Sequence, residues 1–489
     1  MKSPITKIQN WGIALSVICF HTAAVFAQQT MPVPGVAKPV TVPAVSEKTL
    51  PNGLTVAVVE RKNVPLVTAQ LLIRSGANIE NADQAGLANV TFSLLTKGTK
   101  TRTATQIAEQ MEYLGGAINT GAGWNNSNVS ITVMSDKLSP ALAIMSDVVL
   151  NPVFKQEELT LLKSQMLDNL TYNLKQPGFL GNYVASAYSF GEHPAGGTPS
   201  SLNKIAQKDI IEFHKNAVTA NNAVLIFTGD ITPAAANLLA QQYFGKWKSG
   251  ANQELNIKSV FETQSASPPV RRMLVVDVPD SGQASVKYLQ HLQDGRIDHA
   301  KNPNSAYYPA IVLNSALGGG YSSRLNQEIR IKRGLSYGAG SNFTWRKAAS
   351  NFMTSTQTKN ESAAEVAALI LEEIKKLTQN PIEKAELNPR KLALTGDFGR
   401  NLETTDGLAA AVSELYSFGI PTNELNTYMK NVDVISDQQI RDFAKGNLLG
   451  GDIVIVGDYA KFKDDLKKRF PDLKVEIIKA DSIDLSKLN

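Results

Sequence analysis

The chain has 489 residues, a length that suits two or three domains and exceeds a single ordinary core. Hydrophobic residues make up 43% and charged residues 19%, which is typical of a folded protein and excludes a disordered or collagen-like chain. The formal net charge of +5 is spread along the sequence, so no basic patch indicates nucleic-acid binding. The only cysteine is Cys19, so disulfides and thiolate chemistry are excluded from any chain that begins after it.

Residues 1–27 predict an export signal. Lys2 and Lys7 supply positive charge, an apolar stretch follows, and small residues precede a cleavage site after Ala27. The alternative is an uncleaved membrane anchor, which is less favoured because the apolar stretch is short for a bilayer. We therefore expect a cleaved signal peptide and no stable membrane insertion of the mature chain.

Two breaks divide the rest of the sequence. Residues 28–45 form a proline-rich lead-in, and residues 250–269 form a linker rich in Ser, Gly and Pro. These breaks predict an N-terminal domain over residues 46–249 and a C-terminal domain over residues 270–489.

The two predicted domains repeat one pattern. Asn151-Pro152 recurs as Asn380-Pro381, and Gly229-Asp230 recurs as Gly457-Asp458, at offsets of 229 and 228 positions. The same order at nearly constant spacing indicates a duplicated domain, with a period far too long for a solenoid.

Strand signals in the first half come in sequential pairs. Residues 54–59 and 66–73 read as strands joined by a turn, and residues 129–133 alternate like a half-buried strand. This order favours an α+β fold of two duplicated domains, each an antiparallel-rich β-sheet with helices packed on one face.

Capping residues predict where several helices begin. Thr103 and Gln106 form a capping box, and Ser139 before a proline predicts a second helix start. In the second half, Ser362 and Glu365 predict a capping box for the equivalent helix.

The segment 86–99, with the sequence GLANVTFSLLTKGT, resembles the signature helix of the pitrilysin/insulinase family of zinc peptidases, in the branch like mitochondrial processing peptidase. In that family Gly-Leu-Ala leads into the motif H-x-x-E-H, and Lys-Gly-Thr follows. The resemblance covers nearly all of the mature chain and includes the duplication, the loop at His193-Pro194 and the glycine-rich stretch near residue 318.

The zinc-binding residues of this motif are absent. Asn89, Phe92 and Ser93 stand where the family has two zinc-binding histidines and a catalytic glutamate. An amide, a phenyl ring and a hydroxyl supply neither an imidazole ligand nor a base. The resemblance places the third ligand near Asn169, with Asp168 beside it, and one carboxylate would not restore the site. We expect no catalytic residue and no zinc in this chain.

The mature chain has four histidines, which we interpret as surface or loop residues: His193, His214, His291 and His299. No two have the spacing of a helical ligand pair. A relocated metal site in a self-sufficient enzyme is the least favoured alternative, and no nucleophile elbow, P-loop or dinucleotide fingerprint is present.

The second half retains a motif that the resemblance links to substrate binding. In the family, an arginine and a tyrosine seven residues apart reach the metal centre, and Arg330 and Tyr337 match that spacing. We expect Gly334 to end the helix and Tyr337 to begin a strand. Arg333 competes for the arginine role, because one register slip would exchange the two. The alternative is that Arg330 is a solvated helix residue and Tyr337 a half-buried strand residue.

The resemblance implies a non-catalytic, substrate-contacting subunit of a heteromeric zinc metallopeptidase that degrades peptides in the periplasm. Peptide-cutting members of the family enclose a chamber with four such domains, so a homologous subunit would carry the zinc. A peptide would add as a strand to the sheet edge near residues 121–133, which we expect Asn125, Asn126, Ser127 and Asn128 to keep polar. The alternative function is a catalytically inactive scaffold or peptide-binding protein without a peptidase partner.

Overall fold

A computed structural model describes residues 40–250, 272–292, 295–303, 305–347, 349–485 and 488. The expected signal peptide lies outside the described residues, as do most of the lead-in and all of the predicted linker except its first residue. Residues 40–489 form one compact unit. Among the described helices, none is long and apolar enough to cross a membrane.

The first half of the chain builds one six-stranded sheet with the order β1-β2-β6-β3-β5-β4. Its strands are β1 Ser46–Thr49, β2 Thr55–Glu60, β3 Leu66–Ile73, β4 Ile118–Ala122, β5 Ser127–Met134 and β6 Ala223–Gly229. In this sheet as described, β2 and β6 are the one parallel pair. The burial of β5 alternates along the strand, which confirms the predicted half-buried pattern.

The second half builds a sheet with the corresponding order β12-β7-β11-β8-β10-β9. Its strands are β7 Met273–Asp277, β8 Ala284–Leu292, β9 Ser336–Thr344, β10 Ser350–Thr358, β11 Asp452–Gly457 and β12 Val475–Lys479. The β7 strand pairs in parallel with β11 and β12, and the remaining pairs described are antiparallel. Both sheets are therefore mixed and rich in antiparallel pairs, as predicted.

The helices of the two halves correspond in order. Those of the first half are α1 Leu87–Leu94, α2 Ala104–Tyr113, α3 Leu138–Leu150, α4 Gln156–Asn173, α5 Pro177–Phe190, α6 Pro199–Lys204, α7 Gln207–Ala217 and α8 Pro233–Phe244. Those of the second half are α9 Tyr307–Leu317, α10 Ala363–Gln379, α11 Lys384–Asn401, α12 Thr405–Phe418, α13 Glu424–Asp433, α14 Asp437–Asn447 and α15 Lys463–Arg469. Helices α4 and α5 recur as α11 and α12 with every boundary displaced by 228 positions, which confirms the duplication.

The two halves exchange one helix each. Helix α5 of the first half packs on β8 and β11 of the second sheet, and α12 of the second half packs on β3 and β6 of the first. Leu408 and Val412 of α12 join Val224 and Ile226 of β6 in one buried cluster. The prediction that helices pack on one face of each sheet therefore holds only for the helices that belong to the same half as the sheet. The opposite face is covered by the other half, which explains why β6 and β11 are buried on both sides.

Polar side chains fix the exchanged helix α12 to the first sheet. The hydroxyl of Thr68 donates to that of Thr405 at 2.9 Å, and the hydroxyl of Thr228 donates to the Thr405 carbonyl at 2.7 Å. The amide of Gln70 donates to the Ser413 hydroxyl at 3.0 Å. These bonds satisfy polar groups that the packing of the two halves removes from water.

One of the three predicted helix caps is present. Thr103 and Gln106 form the complete capping box of α2. Ser362 occupies the predicted N-cap position of α10, but its side chain forms no capping hydrogen bond. The cap predicted at Ser139 is wrong, because α3 begins at Leu138. The Ser139 hydroxyl instead bonds to the Tyr243 hydroxyl at 2.8 Å, so a tertiary contact replaces the cap.

A buried lysine lies where α5 meets the second sheet. Lys287 of β8 is only 1% exposed, and its Nζ donates to the Ser355 hydroxyl at 3.2 Å. A Cβ atom at Gly181 of α5 would lie 2.9 Å from Lys287 Cε, so the glycine makes room for the lysine stem. Burial lowers the pKa of Lys287 to about 8, because the charged form has lost its hydration.

Replacing this lysine should stabilise the protein. Between pH 8 and the ordinary lysine pKa of 10.5, the unfolded chain binds more protons than the folded one, so stability rises with pH. Lys287→Met should abolish this rise and increase the free energy of unfolding at pH 7 by about 1–3 kcal/mol. Urea unfolding at several pH values measures both effects. Lys48→Met, at an exposed position, is the control, and an equal effect in both variants would contradict this interpretation.

Candidate functional site

The N-terminus of α1 is fixed by a buried carboxylate. Glu80 accepts hydrogen bonds from the backbone N–H groups of Gly86, at 2.9 Å, and Ala88, at 2.5 Å. Gly86 has φ +93° and approaches the backbone of Gly197 so closely that a Cβ atom would lie 2.9 Å from its Cα. Burial raises the pKa of Glu80 to about 8, against the opposing effect of the two backbone bonds. The sequence analysis did not identify Glu80, although an acidic residue close before a helix start is a recognisable signal.

The motif positions on α1 are occupied by side chains that bind each other or the core. The Ser93 hydroxyl donates to the Asn89 Oδ1 at 3.4 Å, across one helical turn. Phe92 is 1% exposed and belongs to the large core of the first half. The position of the family's catalytic base has thus become a core position.

The third ligand position lies on α4, which packs against α1. Asn169 is exposed there and its Oδ1 accepts a hydrogen bond from the Asn173 amide. Two amides and a hydroxyl lack the imidazole and carboxylate donors that zinc prefers. Throughout the described residues, no group of three or more His, Cys, Asp or Glu side chains could hold a metal ion. The side chains at these positions do not fit a zinc ion.

The four histidines have packing roles, and the expectation of surface or loop positions is wrong for two of them. His214 lies on α7 and bonds to the Val149 carbonyl at 2.9 Å, while His291 lies on β8. The ring of His299 packs edge-on to Tyr308, with centroids 4.8 Å apart. Burial lowers the pKa of His214, His291 and His193.

His193 belongs to a polar cluster that joins the two halves beside α1. Its Nδ1 lies 3.9 Å from the Glu80 carboxylate, and its ring packs on Trp124. The Arg346 guanidinium of the second half lies 4.8 Å from the Trp124 ring centroid and forms an ion pair of 3.0 Å with Glu192. Sequence reasoning missed this cluster because its members are distant in the chain.

Of the predicted peptide-binding edge, residues 121–133, only residues 121–122 lie on an edge strand of the sheet. The edge strand is β4, whereas β5 lies inside the sheet, paired with β3 and β4. Asn125 and Asn126, which we expected to keep the edge polar, instead bond to the second half through the Trp345 carbonyl and the Ser417 hydroxyl, at 3.3 and 2.9 Å.

Arg330 and Tyr337 lie on either side of a helix end. Arg330 belongs to a π-helical segment, Asn326–Ile331, and its guanidinium lies 5.1 Å from the Tyr321 ring centroid. Gly334 follows with φ +65°, and β9 begins at Ser336, so the predicted helix end and strand start are confirmed. Tyr337 is 89% exposed on this edge strand. The alternative that Tyr337 is a half-buried strand residue is therefore wrong.

The two candidate arginines differ in their partners. Arg333 donates to the Glu328 carboxylate at 2.5 Å and lies 4.0 Å from Glu365. For Arg330, no ion pair with a carboxylate occurs among the described residues. The guanidinium of Arg330 is therefore the more available of the two.

The structure keeps the two sets of candidate residues apart. Asn89, Phe92 and Ser93 belong to the first half, whereas Arg330 and Tyr337 belong to the second. Across residues 40–250 and the described parts of 272–488, no hydrogen bond, ion pair or ring contact joins one set to the other. The chain by itself does not assemble them into one site.

Fold and site together define a class of protein: a duplicated α+β peptidase fold whose motif helix lacks the zinc ligands of the family. The family model "Insulinase (Peptidase family M16)" matches residues 55–186, and the model "Peptidase M16 inactive domain" matches residues 204–394. The chain belongs to the insulinase family of peptidases, M16, and is an inactive-type member.

Relatives and solved structures agree with this assignment. The chain is 24% identical over 404 residues, 81% of its length, to a protein of Helicobacter pylori described as the non-peptidase homolog YmxG, and covers 90% of that protein. It is 26% identical over 349 residues to an uncharacterized zinc protease of Rickettsia bellii, covering 70% of this chain and 81% of the relative.

Two crystal structures show the same fold. A peptidase M16 inactive domain of Pseudomonas fluorescens aligns with a TM-score of 0.74 at 25% identity, over 84% of this chain and 98% of that one. The periplasmic protease PqqL of Escherichia coli aligns with a TM-score of 0.67 at 13% identity, over 90% of this chain and 52% of PqqL. PqqL is thus about twice as long as the matching region.

Restoring the motif glutamate should be costly, because Phe92 fills the core. Phe92→Glu should lower the free energy of unfolding by about 3 kcal/mol or more, through the lost apolar contacts and a buried carboxylate. Ser93→Glu places the same group at the next, half-buried position and should cost less than about 1 kcal/mol. Urea unfolding of both variants measures the difference. Equal decreases in the free energy of unfolding would show that position 92 does not contribute to the core more than position 93 does.

Proposed function

We propose that the chain is a non-catalytic, substrate-contacting subunit of a heteromeric zinc metallopeptidase that degrades peptides. The observation that carries this proposal is the contrast between the two halves. The motif helix lacks the zinc ligands, whereas Arg330 has no acidic partner among the described residues and Tyr337 is exposed on an edge strand.

The chemistry of this pair suits the carbonyl under attack in peptide hydrolysis. A guanidinium and a phenol both donate hydrogen bonds, and such donors stabilise the negative charge that develops on the carbonyl oxygen. Tyr321 and Ile331 are also exposed, and the Tyr321 ring lies against the Arg330 guanidinium.

The metal would come from a homologous partner subunit. Asn89, Phe92 and Ser93 leave this chain without zinc ligands, so the partner would supply the zinc and the water activated by it. A peptide substrate could pair with the open edge of β4, because an unpaired strand offers backbone donors and acceptors.

The proposed location is the periplasm. Support comes from the export signal predicted over residues 1–27 and from the fold shared with PqqL, a periplasmic protease. We propose that the mature chain has no stable membrane insertion and no nucleic-acid partner.

Reconstitution tests the proposal. The chain would be purified from its host with the proteins that bind it, and peptide cleavage would be assayed for each component and for the mixture. We expect chelator-sensitive cleavage only when a zinc-bearing homologous subunit and this chain are combined. Full activity of the partner alone would contradict the proposal, and peptide binding without any cleavage would favour the alternative of a scaffold or peptide-binding protein.

Two substitutions should lower turnover without preventing assembly. Arg330→Ala and Tyr337→Phe each remove one hydrogen-bond donor and should reduce the kcat of the complex about 10- to 100-fold. Arg333→Ala and Tyr113→Phe change an ion-paired arginine and a similarly exposed tyrosine, and should leave kcat nearly unchanged.

Steady-state kinetics and size-exclusion chromatography of the mixed subunits measure turnover and assembly separately. Normal kcat in both Arg330→Ala and Tyr337→Phe would assign these residues to the solvated surface. A loss in Arg333→Ala alone would instead place Arg333 in the arginine role.

A further inference from the structure

The second half contains a cavity beside the residue that repeats the third ligand position of the motif site. Helix α11 is the counterpart of α4, and Asp397 on it stands 228 positions after Asn169. Helix α9 packs against α11 as α1 packs against α4. Beside Asp397, between α11, α12 and α13, lies a cavity of about 530 Å³.

Carboxylates outnumber cations on the cavity wall. The charged lining residues are Arg296, Asp397, Arg400, Asp406, Glu414 and Glu424. Arg296 forms an ion pair with Glu424, and Arg400 forms one with Asp397. Among the described residues, Asp406 and Glu414 form no ion pair, although the positive charge of Arg296 acts on Glu414 and opposes the rise of its pKa.

The deep part of the cavity has unsatisfied polar atoms. Glu424 is only 6% exposed, and its Oε1 accepts from the Tyr308 hydroxyl at 2.9 Å. Its Oε2 is buried without a hydrogen-bond partner, as is the Nε of the buried Arg296. Unpaired buried atoms of this kind are costly. A bound donor such as an ammonium or guanidinium group would satisfy the Glu424 oxygen, whereas the Arg296 Nε–H requires an acceptor.

Aromatic rings and alkyl groups form the remaining wall. The Arg296 guanidinium lies 3.4 Å from the Tyr307 ring centroid, and Tyr428 stacks on Phe398 with centroids 4.2 Å apart. Rings and aliphatic side chains suit the apolar stem of an amphipathic cation, while a carboxylate holds its charged end. Glu414 lines the cavity and is exposed, so a cation can reach its carboxylate from solvent.

We propose that this cavity binds a primary amine or guanidinium on a short alkyl chain, with Glu414 as the counter-charge. Such a group occurs in free polyamine-like molecules and in the Arg or Lys side chains of peptides. The proposal needs no peptidase partner, so it stands or falls independently of the function proposed above.

Isothermal titration calorimetry of the isolated chain tests the proposal with two probes, agmatine and a blocked peptide with one central arginine. We expect saturable binding of one or both, with a Kd below about 1 mM. Binding of agmatine alone indicates a free amine as the ligand, and binding of the peptide alone indicates a side chain. Absence of saturable binding of both probes at about 10 mM would overturn the proposal.

Variants locate the binding. Glu414→Gln should weaken binding at least tenfold, whereas Glu403→Gln, an exposed acidic residue outside the cavity lining, should leave it unchanged. Ala411→Leu fills the cavity without changing any charge and should also weaken binding, which provides a second test if Glu414→Gln fails to fold. Unchanged affinity in a folded Glu414→Gln or Ala411→Leu variant would overturn the proposal.

Discussion

The exchange of α5 and α12 between the two halves is the constraint on which the rest of the structure depends. The strands β6 and β11 are buried on both faces, and a helix of the other half covers one face of each sheet. Each half therefore completes the core of the other, and separating them would expose both sheets to water. The exchange joins the two halves of the duplicated sequence into one compact unit that contains both the motif helix and the pair Arg330 and Tyr337.

The motif helix shows how a lost catalytic site can remain a structural element. Glu80 still holds the N-terminus of α1, and α4 still packs beside it. Phe92 adds a large apolar group to the core where the family has a polar catalytic residue. The helix therefore gains packing while losing chemistry, and the chemistry that we propose for the chain lies in the second half, at Arg330 and Tyr337.

The sequence predicted what local patterns and repetition determine. The duplication, the capping box at Thr103 and the turn at Gly334 depend on nearby residues and are found in the structure. The helix exchange was not predictable, because an apolar helix face indicates burial but not the sheet that it contacts. The predictions for Ser139 and Asn126 failed for the same reason. Ser139 bonds to Tyr243 instead of capping a helix, and Asn126 bonds to Ser417 instead of keeping the sheet edge polar.

The central claim is that this chain lacks the side chains needed to hold a hydrolytic zinc ion. Metal analysis by mass spectrometry on the isolated protein, after equilibration with zinc and removal of excess metal, tests it most directly. The account predicts far less than one zinc per chain and no change in thermal stability on adding zinc. One tightly held zinc per chain, lost when the chain's own histidines or carboxylates are substituted, would contradict it.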